Sequence, residues 1–207
     1  DEAFITTHDA WTGIPRISIC EETLSKIPVE VRIGALHHEA AHSILHGALE
    51  YYVFTLPPDL QNLARRLSLP STLIRSIIYL ASVAVKDCQV TKFLYGKGFV
   101  DDQAAFAIYF LEPSGEEVLG WMVACRSPTA TIVFLVSVMK SIACALPLIE
   151  DKKWGGEVNK SVASYISYLP EEQNKRLLEL IEAFKSLTGR FHDDLRAVLK
   201  DIFNQLP

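Results

Sequence analysis

Glycine and proline divide this chain into long uninterrupted stretches, and these stretches constrain the fold more than any other feature. Residues 71–95 contain neither amino acid, Pro70 precedes them, and Gly96 and Gly98 follow them. Because proline ends a preceding helix and glycine commonly follows a helix end, this pattern predicts one long helix over residues 71–95. A chain built around such a helix belongs among the mainly helical folds.

The positions of glycine and proline, together with apolar periodicity, predict helices along most of the remaining chain. Pro28 and Glu30 are typical of a helix start, and apolar residues then recur at helical spacing to about residue 53, before Pro57 and Pro58. We expect further helices over residues 58–68, 101–113, 116–126 (where a strand also fits), 129–149, 170–187 and 191–205. One short strand is expected over residues 17–19, and a linker over residues 152–156.

The composition indicates one globular unit of the mainly α (α+β) class. The chain has 207 residues, of which 49% are apolar and 22% are charged, and this length suits one domain. We expect a helical core with a short edge strand or small sheet, together with additional C-terminal helices. The predicted division is a core over residues 1–100 and a helical extension over residues 101–207 that packs on it.

Charge and hydropathy disfavour two classes of partner. The net charge of −5 disfavours nucleic acids and anionic membranes, since both require a basic protein surface. Residues 129–149 are almost entirely apolar, but Lys140 and Pro147 interrupt them and leave an uncharged run of eleven residues at 129–139. A spanning helix needs about 20 apolar residues. We therefore expect a buried helix and no transmembrane span, while peripheral membrane association stays open.

The four cysteines indicate a reducing environment. Cys20, Cys88, Cys125 and Cys144 lie far apart and form no C-x-x-C pair of the kind found in zinc ribbons or redox sites. They are typical of small buried apolar residues, so we expect a cytoplasmic protein. The first twenty residues carry no basic segment followed by an apolar run, and we expect no signal peptide within this chain.

A metal-binding motif lies within the helix that is predicted to begin at Pro28. The segment His38-Glu39-Ala40-Ala41-His42 has the form H-E-x-x-H. Because four residues turn a helix through about 400°, His38 and His42 project from one face and can bind one Zn²⁺ together. Glu39 is turned about 100° from His38, which suits it to take a proton from a metal-bound water and pass it to a leaving amine. The alternative is a structural histidine pair.

A catalytic zinc site needs a third protein ligand, and Asp87 is the strongest candidate. On the predicted helix over residues 71–95, Asp87 falls within an apolar arc. The polar face of that helix carries other residues: Arg75, Tyr79, Ser82, Lys86 and Gln89. A carboxylate on the apolar arc would be buried, which is costly unless it is paired or binds a metal. A buried salt bridge or a helix cap is the alternative for Asp87.

The remaining acidic and histidine residues are weaker candidates. Asp101 is the second choice for the third ligand. Three further acids are conceivable alternatives: Glu50, Asp59 and Asp102. His46 lies one turn beyond His42, and three histidines on a straight helix spread over about 12 Å, too far for all to bind one ion. We expect His46 and His37 to support the site or to pack against it.

The motif and its spacing resemble the gluzincin metallopeptidases, and in particular the small members called minigluzincins. Gluzincins place H-E-x-x-H on one helix and an acidic ligand on a later helix, and here Asp87 follows His42 by 45 residues. The resemblance covers about residues 15–100 and implies a zincin-like helical core. It also implies one Zn²⁺ per chain bound by His38, His42 and Asp87, with Glu39 as general base and acid.

Two details bear on this resemblance. The usual gluzincin ligand is Glu, and because Asp87 is one methylene shorter, its helix must approach the motif helix more closely. The small residues Ala40, Ala41 and Ala84 would permit this approach. The related metzincin pattern fails, since it requires Gly and His where Leu45 and Ala48 stand.

The resemblance also implies how a substrate is bound. In such enzymes a short strand beside the cleft pairs with an extended peptide, and here residues 17–20 would be that edge. A side chain that stabilises the oxyanion is expected as well. The candidates for this role are Tyr51, Tyr79, Tyr95, His8 and His192.

Three hypotheses about function follow from the sequence. The first is a zinc-dependent metallopeptidase that hydrolyses peptide or protein substrates. The second is a non-catalytic zinc-binding regulatory or interaction protein, with a helical half that binds a partner. The third is a latent peptidase whose C-terminal helices cover the cleft, so that removal of the segment after about Gly155 would expose its activity.

Overall fold

The structure is a computed structural model, and it describes residues 5–206. Within this range ten α-helices and one two-stranded antiparallel sheet form, and 68% of the chain is helical. The prediction of a mainly α fold with a small sheet and additional C-terminal helices is confirmed.

The elements follow one another along the chain as short strands and then helices. The first half contains β1 (Thr6–Asp9), β2 (Arg16–Ile19), α1 (Glu21–Leu24), α2 (Val29–Leu45), α3 (Pro58–Arg66) and α4 (Ser71–Gly96). The second half contains α5 (Val100–Phe110), α6 (Gly115–Ala124), α7 (Pro128–Ile142), α8 (Gly155–Tyr165), α9 (Glu171–Lys185) and α10 (Phe191–Asn204). The uninterrupted stretch at 71–95 therefore forms one helix, as predicted.

The motif helix α2 ends earlier than its apolar periodicity predicts. It stops at Leu45, and a short 3₁₀ turn follows at Leu49–Tyr51, where helix to about residue 53 was expected. Gly47 lies so close to its neighbours that a Cβ atom would stand 2.3 Å from the Ser43 carbonyl oxygen and 2.8 Å from Pro15 Cγ. Only glycine fits at this position, and a glycine just after the last helical turn is a common helix end.

The predicted linker at residues 152–156 is too long: residues 152–154 form a turn, but residues 155 and 156 are helical. Helix α8 begins at Gly155, and the two residues before it are held in place because the Lys153 ammonium and the Trp154 ring nitrogen donate to Asp101 Oδ1 at 2.7 and 2.6 Å. A Cβ atom on Gly155 would lie 2.4 Å from the Ile149 carbonyl oxygen. Within this segment Gly155 is buried and Trp154 is half-buried, whereas the other three residues are exposed.

The polar face predicted for α4 is largely buried. Ser82, Lys86 and Gln89 are only 3%, 7% and 7% exposed, whereas Arg75 and Tyr79 face solvent. Helices α2, α5, α7 and α10 all contact α4, so α4 is the central helix of the fold. Polar side chains on such a helix must find partners inside the protein.

One hydrophobic core joins both predicted portions of the chain. Its buried members run from Leu60 on α3 to Leu206 after α10, and they include Ile77, Leu135 and Ile202, each completely buried. The predicted core over residues 1–100 and extension over 101–207 thus share their main hydrophobic cluster. The motif helix α2 packs on this core through α4 and α5.

The apolar segment at residues 129–149 lies inside this core. Helix α7 buries Ile132, Leu135, Val136, Met139 and Ile142, which agrees with the expectation of a buried helix. Between residues 5 and 206, no helix combines the length and the apolar character that crossing a bilayer requires.

Candidate metal centre

Two helices bring three possible ligand atoms together. His38 and His42 project from α2, and Asp87 projects from α4, which packs beside α2 around Ala41, Val90 and Leu94. The two imidazole Nε2 atoms lie 3.1 Å apart. Asp87 Oδ1 lies 3.3 Å from His42 Nε2 and 3.7 Å from His38 Nε2.

These separations fit a tetrahedral metal. With bonds of about 2.0–2.1 Å from Zn²⁺ to nitrogen or oxygen, two ligands at tetrahedral corners lie about 3.3 Å apart. The three measured distances fall within a few tenths of an ångström of that value. Because two imidazole nitrogens and one carboxylate oxygen are ordinary zinc ligands, the donor set fits zinc as well.

Burial and charge act on the protonation of all three ligands. His38 and His42 are 4% and 7% exposed, and burial lowers the pKa of His42 to about 3. Burial also opposes the charged forms of His38 and Asp87, but the contact between these two groups outweighs it, so the pKa of His38 is raised and that of Asp87 is lowered. A neutral imidazole and an ionised carboxylate are the forms that bind a cation. The lowered pKa values of His42 and Asp87 favour these forms.

A chain of hydrogen bonds orients His42 through Nδ1, the ring nitrogen that does not face Asp87. His42 Nδ1 lies 3.2 Å from His46 Nδ1, His46 Nε2 lies 3.0 Å from Gln89 Oε1, and Gln89 Nε2 donates to Asp194 Oδ2 at 2.7 Å. Asp194 is itself held by the backbone N–H groups of Thr188 and Gly189, at 2.8 and 2.9 Å. The chain therefore connects α2 through α4 to α10.

The direction of every proton in this chain follows from the Asp194 carboxylate. Since a carboxylate only accepts, the Gln89 amide must turn its NH₂ group to Asp194 and its oxygen to His46. His46 then carries its proton on Nε2, and burial lowers its pKa to about 4, so it is neutral. His46 Nδ1 accepts from His42 Nδ1–H, which leaves the lone pair of His42 Nε2 facing Asp87. A metal-binding histidine commonly has such support on its other nitrogen.

Glu39 lies beside this cluster without joining it. Its side chain is buried, and Thr6 Oγ1 on β1 donates to Glu39 Oε1 at 3.0 Å. Burial raises the pKa of Glu39 above its usual value, and this effect outweighs the opposing influence of His38. A carboxylate with a raised pKa is better able to take up and return a proton near neutral pH.

The cluster and Glu39 line one cleft of about 510 Å³. Its walls come from β1, α2, α4 and α5, together with the end of α7 and the residues just after it. The predicted edge at residues 17–20 contributes no lining residue, whereas residues 5–8 do. The strand at the cleft is therefore β1, which pairs with β2 in the register Thr6 opposite Ile19.

The cleft contains some of the residues proposed to stabilise an oxyanion. His8 and Tyr79 line it, whereas Tyr51 and His192 stack on each other elsewhere and Tyr95 donates to Asp151. Tyr52, which sequence reasoning did not select, also lines the cleft, and its hydroxyl lies 2.6 Å from His8 Nδ1. Tyr52 reaches the site because α2 ends at Leu45, a bend that the periodicity did not predict.

The weaker ligand candidates lie away from the cluster. Asp101 binds Lys153 and Trp154, Asp102 is hydrogen-bonded to His37, and Asp59 pairs with Arg196 at 3.0 Å. Glu50 is exposed in the 3₁₀ turn after α2. None of these four acids lines the cleft of the described chain. His46 supports His42, as expected for a residue one turn along.

Two further residues of the cleft escaped sequence reasoning. Cys144 follows α7, and one ligand atom of each of His38, Asp87 and Cys144 lies within 4.8 Å of the others. Lys86 lines the cleft with its ammonium 4.2 Å from the centre of the Tyr52 ring. A lone cysteine and a lysine on a predicted polar face carry no functional signal, since only the tertiary fold places them beside the motif.

Comparisons with known proteins give no match: no protein-family model, no curated protein and no solved structure matches this chain. The resemblance to gluzincins therefore stays a prediction from the motif and from the position of Asp87.

Proposed function

We propose that this protein is a zinc-dependent peptidase of gluzincin type. The observation that carries the proposal is the convergence of His38 Nε2, His42 Nε2 and Asp87 Oδ1, at mutual distances of 3.1 to 3.7 Å, in the same cleft as Glu39. Three protein ligands leave one tetrahedral position open, which distinguishes catalytic from structural zinc sites.

Each group of residues in the cleft has a separate role in the proposed hydrolysis. Zinc held by the three ligands would polarise a peptide carbonyl and lower the pKa of a neighbouring water. Glu39 takes the proton of that water and returns it to the leaving amine, and Thr6 fixes the carboxylate in position. The hydroxyl of Tyr52 is a donor on the cleft wall, available to the developing oxyanion.

Substitution of Glu39 by Gln tests this proposal. The wild-type protein should bind one zinc ion per chain and cleave members of a general peptide library. Glu39→Gln should retain the ion, because Glu39 is not a ligand, and should lose cleavage by at least a hundredfold, within the range that general acid–base catalysis contributes, about 10²–10⁴-fold. Zinc is measured by atomic absorption, and cleavage by mass spectrometry of the library.

Glu30→Gln is the matched control. Glu30 is an exposed carboxylate in the first turn of the same helix, so its removal changes net charge equally and should leave both zinc content and cleavage unchanged. Cleavage retained by Glu39→Gln would remove Glu39 from its assigned role. Absence of zinc from the wild-type protein would contradict the whole proposal.

Cys144 supports a second candidate, the non-catalytic zinc protein. Cys144 groups with His38 and Asp87, and a thiolate ligand added to a zinc site would help to close it, as structural sites are closed. Substitution with Co²⁺ distinguishes the two candidates, because thiolate ligation gives an intense charge-transfer absorption that Cys144→Ser abolishes. A peptidase with three ligands gives no such absorption, and Cys144→Ser then leaves cleavage intact.

The latent peptidase gains no support from the cleft. Of the described residues, all those that line it precede residue 145, and the segment after Gly155 contributes none. Helix α10 packs instead on the far side of the site, where Asp194 supports His42 through Gln89 and His46.

A further inference from the structure

Lys86 is a buried cation in the wall of the cleft. It precedes Asp87 on α4 and is only 7% exposed, although it lines the open volume beside the metal ligands. Its ammonium group lies 4.2 Å from the centre of the Tyr52 ring, and the Tyr52 hydroxyl contacts His8, whose ring stacks on His42 at 5.7 Å. Lys86 therefore belongs to a continuous wall that leads to the proposed zinc site.

This ammonium group has no carboxylate partner among the residues that the structure describes. Between residues 5 and 206 Lys86 forms no ion pair, and the adjacent Asp87 carboxylate is directed at the two histidines. The Tyr52 ring supplies a cation–π contact but no opposite charge. An anion that enters the cleft would complete the pairing.

The charge of the cleft also favours an anion. The side chains that line the cleft include two carboxylates, Glu39 and Asp87, and two ammonium groups, Lys86 and Lys140 on α7. These four charges cancel, so a bound divalent cation would give the lining a net charge of about +2, counting the histidines as neutral. The chain as a whole carries −5. Clefts of one sign raise the local concentration of ligands of the opposite sign.

We propose that the cleft selects peptides that carry a carboxylate, and that Lys86 binds this group. The inference rests on the proposed peptidase function and names its substrate class. The carboxylate comes either from the free C-terminus of the peptide or from an Asp or Glu side chain, and both sources present the same two oxygens to the ammonium.

Three acetylated hexapeptides of alanine and phenylalanine test this proposal by isothermal titration calorimetry. The first ends in a free carboxylate, the second ends in an amide, and the third is the amide with one internal residue replaced by Glu. Zinc-loaded Glu39→Gln protein is titrated, so that binding is measured without cleavage. We expect the first or the third peptide to bind about tenfold to a hundredfold more tightly than the neutral amide, as a charged hydrogen bond provides.

The source of the carboxylate follows from which peptide binds more tightly. Preference for the first peptide assigns the C-terminal carboxylate, and preference for the third assigns an acidic side chain. Equal affinity for all three peptides would overturn the proposal, and this comparison requires no change to Lys86.

Variants of Lys86 locate the recognition. Lys86→Gln, and Lys86→Met as a second variant that keeps the apolar stem, should remove the preference while leaving the affinity for the neutral amide within about twofold. The control is Lys160→Gln, an exposed lysine on α8 outside the cleft, which should keep the preference. A preference retained without Lys86 would overturn its assignment.

The same measurements separate this inference from the proposed function. If wild-type protein cleaves all three peptides at equal rates and binds them equally, the peptidase stands and the carboxylate site fails. If it cleaves none of them but shows a carboxylate preference that depends on Lys86, the peptidase fails and the carboxylate site stands.

Discussion

At the scale of single residues, the position of one carboxylate carries most of the functional argument. Asp87 stands on an apolar arc of its helix, and this conflict with its surroundings is visible in the sequence. In the structure its oxygen lies 3.3 Å from His42 Nε2, and its side chain is 15% exposed. The two imidazoles pair with this carboxylate, and the same three groups are ordinary zinc ligands, which is why the proposed function depends on Asp87.

Asp87→Ala should therefore lower zinc affinity by more than about a hundredfold, because loss of a hydrogen-bonding supporter of a ligand alone costs about 10–100-fold. Affinity is measured by competition with a chromophoric chelator. Asp101→Ala is the control, since Asp101 is an exposed acid that pairs with Lys153 and should keep wild-type affinity. Equal affinities of Asp87→Ala and wild-type protein would reduce Asp87 to an ordinary ion-pair residue.

The supporting residues around the ligands could not be predicted from the sequence. Gln89 belongs to the predicted polar face of its helix, and Asp194 lies 105 residues farther along the chain. Only the packing of α10 against α4 turns them into the support of His42. Local patterns identify a residue that conflicts with its surroundings, but they do not identify its distant partners.

At the scale of elements, most helices follow from glycine, proline and periodicity, whereas elements such as β1 and α8 do not. Strand β1 has only four residues, which is too short for a clear alternation of apolar and polar residues. It forms because it pairs with the later segment Arg16–Ile19. Helix α8 has only a short amphipathic pattern and begins with two glycines, Gly155 and Gly156. Both elements depend on tertiary contacts that a local pattern does not contain.

Close packing of α2 against α5 gives a prediction at this scale. A Cβ atom on Gly34 would stand 2.4 Å from the Asp102 carbonyl oxygen and 2.8 Å from Phe106 Cβ. Gly34→Ala should therefore lower the free energy of unfolding by about 1–3 kcal/mol, as overpacking does, despite the better helix propensity of alanine. Urea denaturation measures the change.

Gly156→Ala provides the matched control for this experiment. Gly156 lies in α8, and a Cβ atom added there would meet no other atom within 4 Å, so alanine should be neutral or stabilising by up to about 1 kcal/mol. If Gly34→Ala were as stable as wild-type protein, α2 and α5 would not be held together by this contact, and the cleft wall formed by Phe106 would need another explanation.

At the scale of the whole molecule, three helices after residue 100, α5, α7 and α10, contribute to the candidate site. Helix α5 and the residues around the end of α7 line the cleft, and α10 carries the Asp194 support for His42. The sequence predicted a mainly helical chain with a motif in its first half. The shared core from Leu60 to Leu206 depends on helix packing that periodicity cannot supply.

The central claim is that His38, His42 and Asp87 bind one zinc ion, and an anomalous difference map at the zinc edge tests it most directly. Crystals of the wild-type protein grown with equimolar zinc should show one strong peak per chain, in contact with His38 Nε2, His42 Nε2 and Asp87 Oδ1. A map without a peak between these three atoms, or with its only peak at the protein surface, would contradict the account.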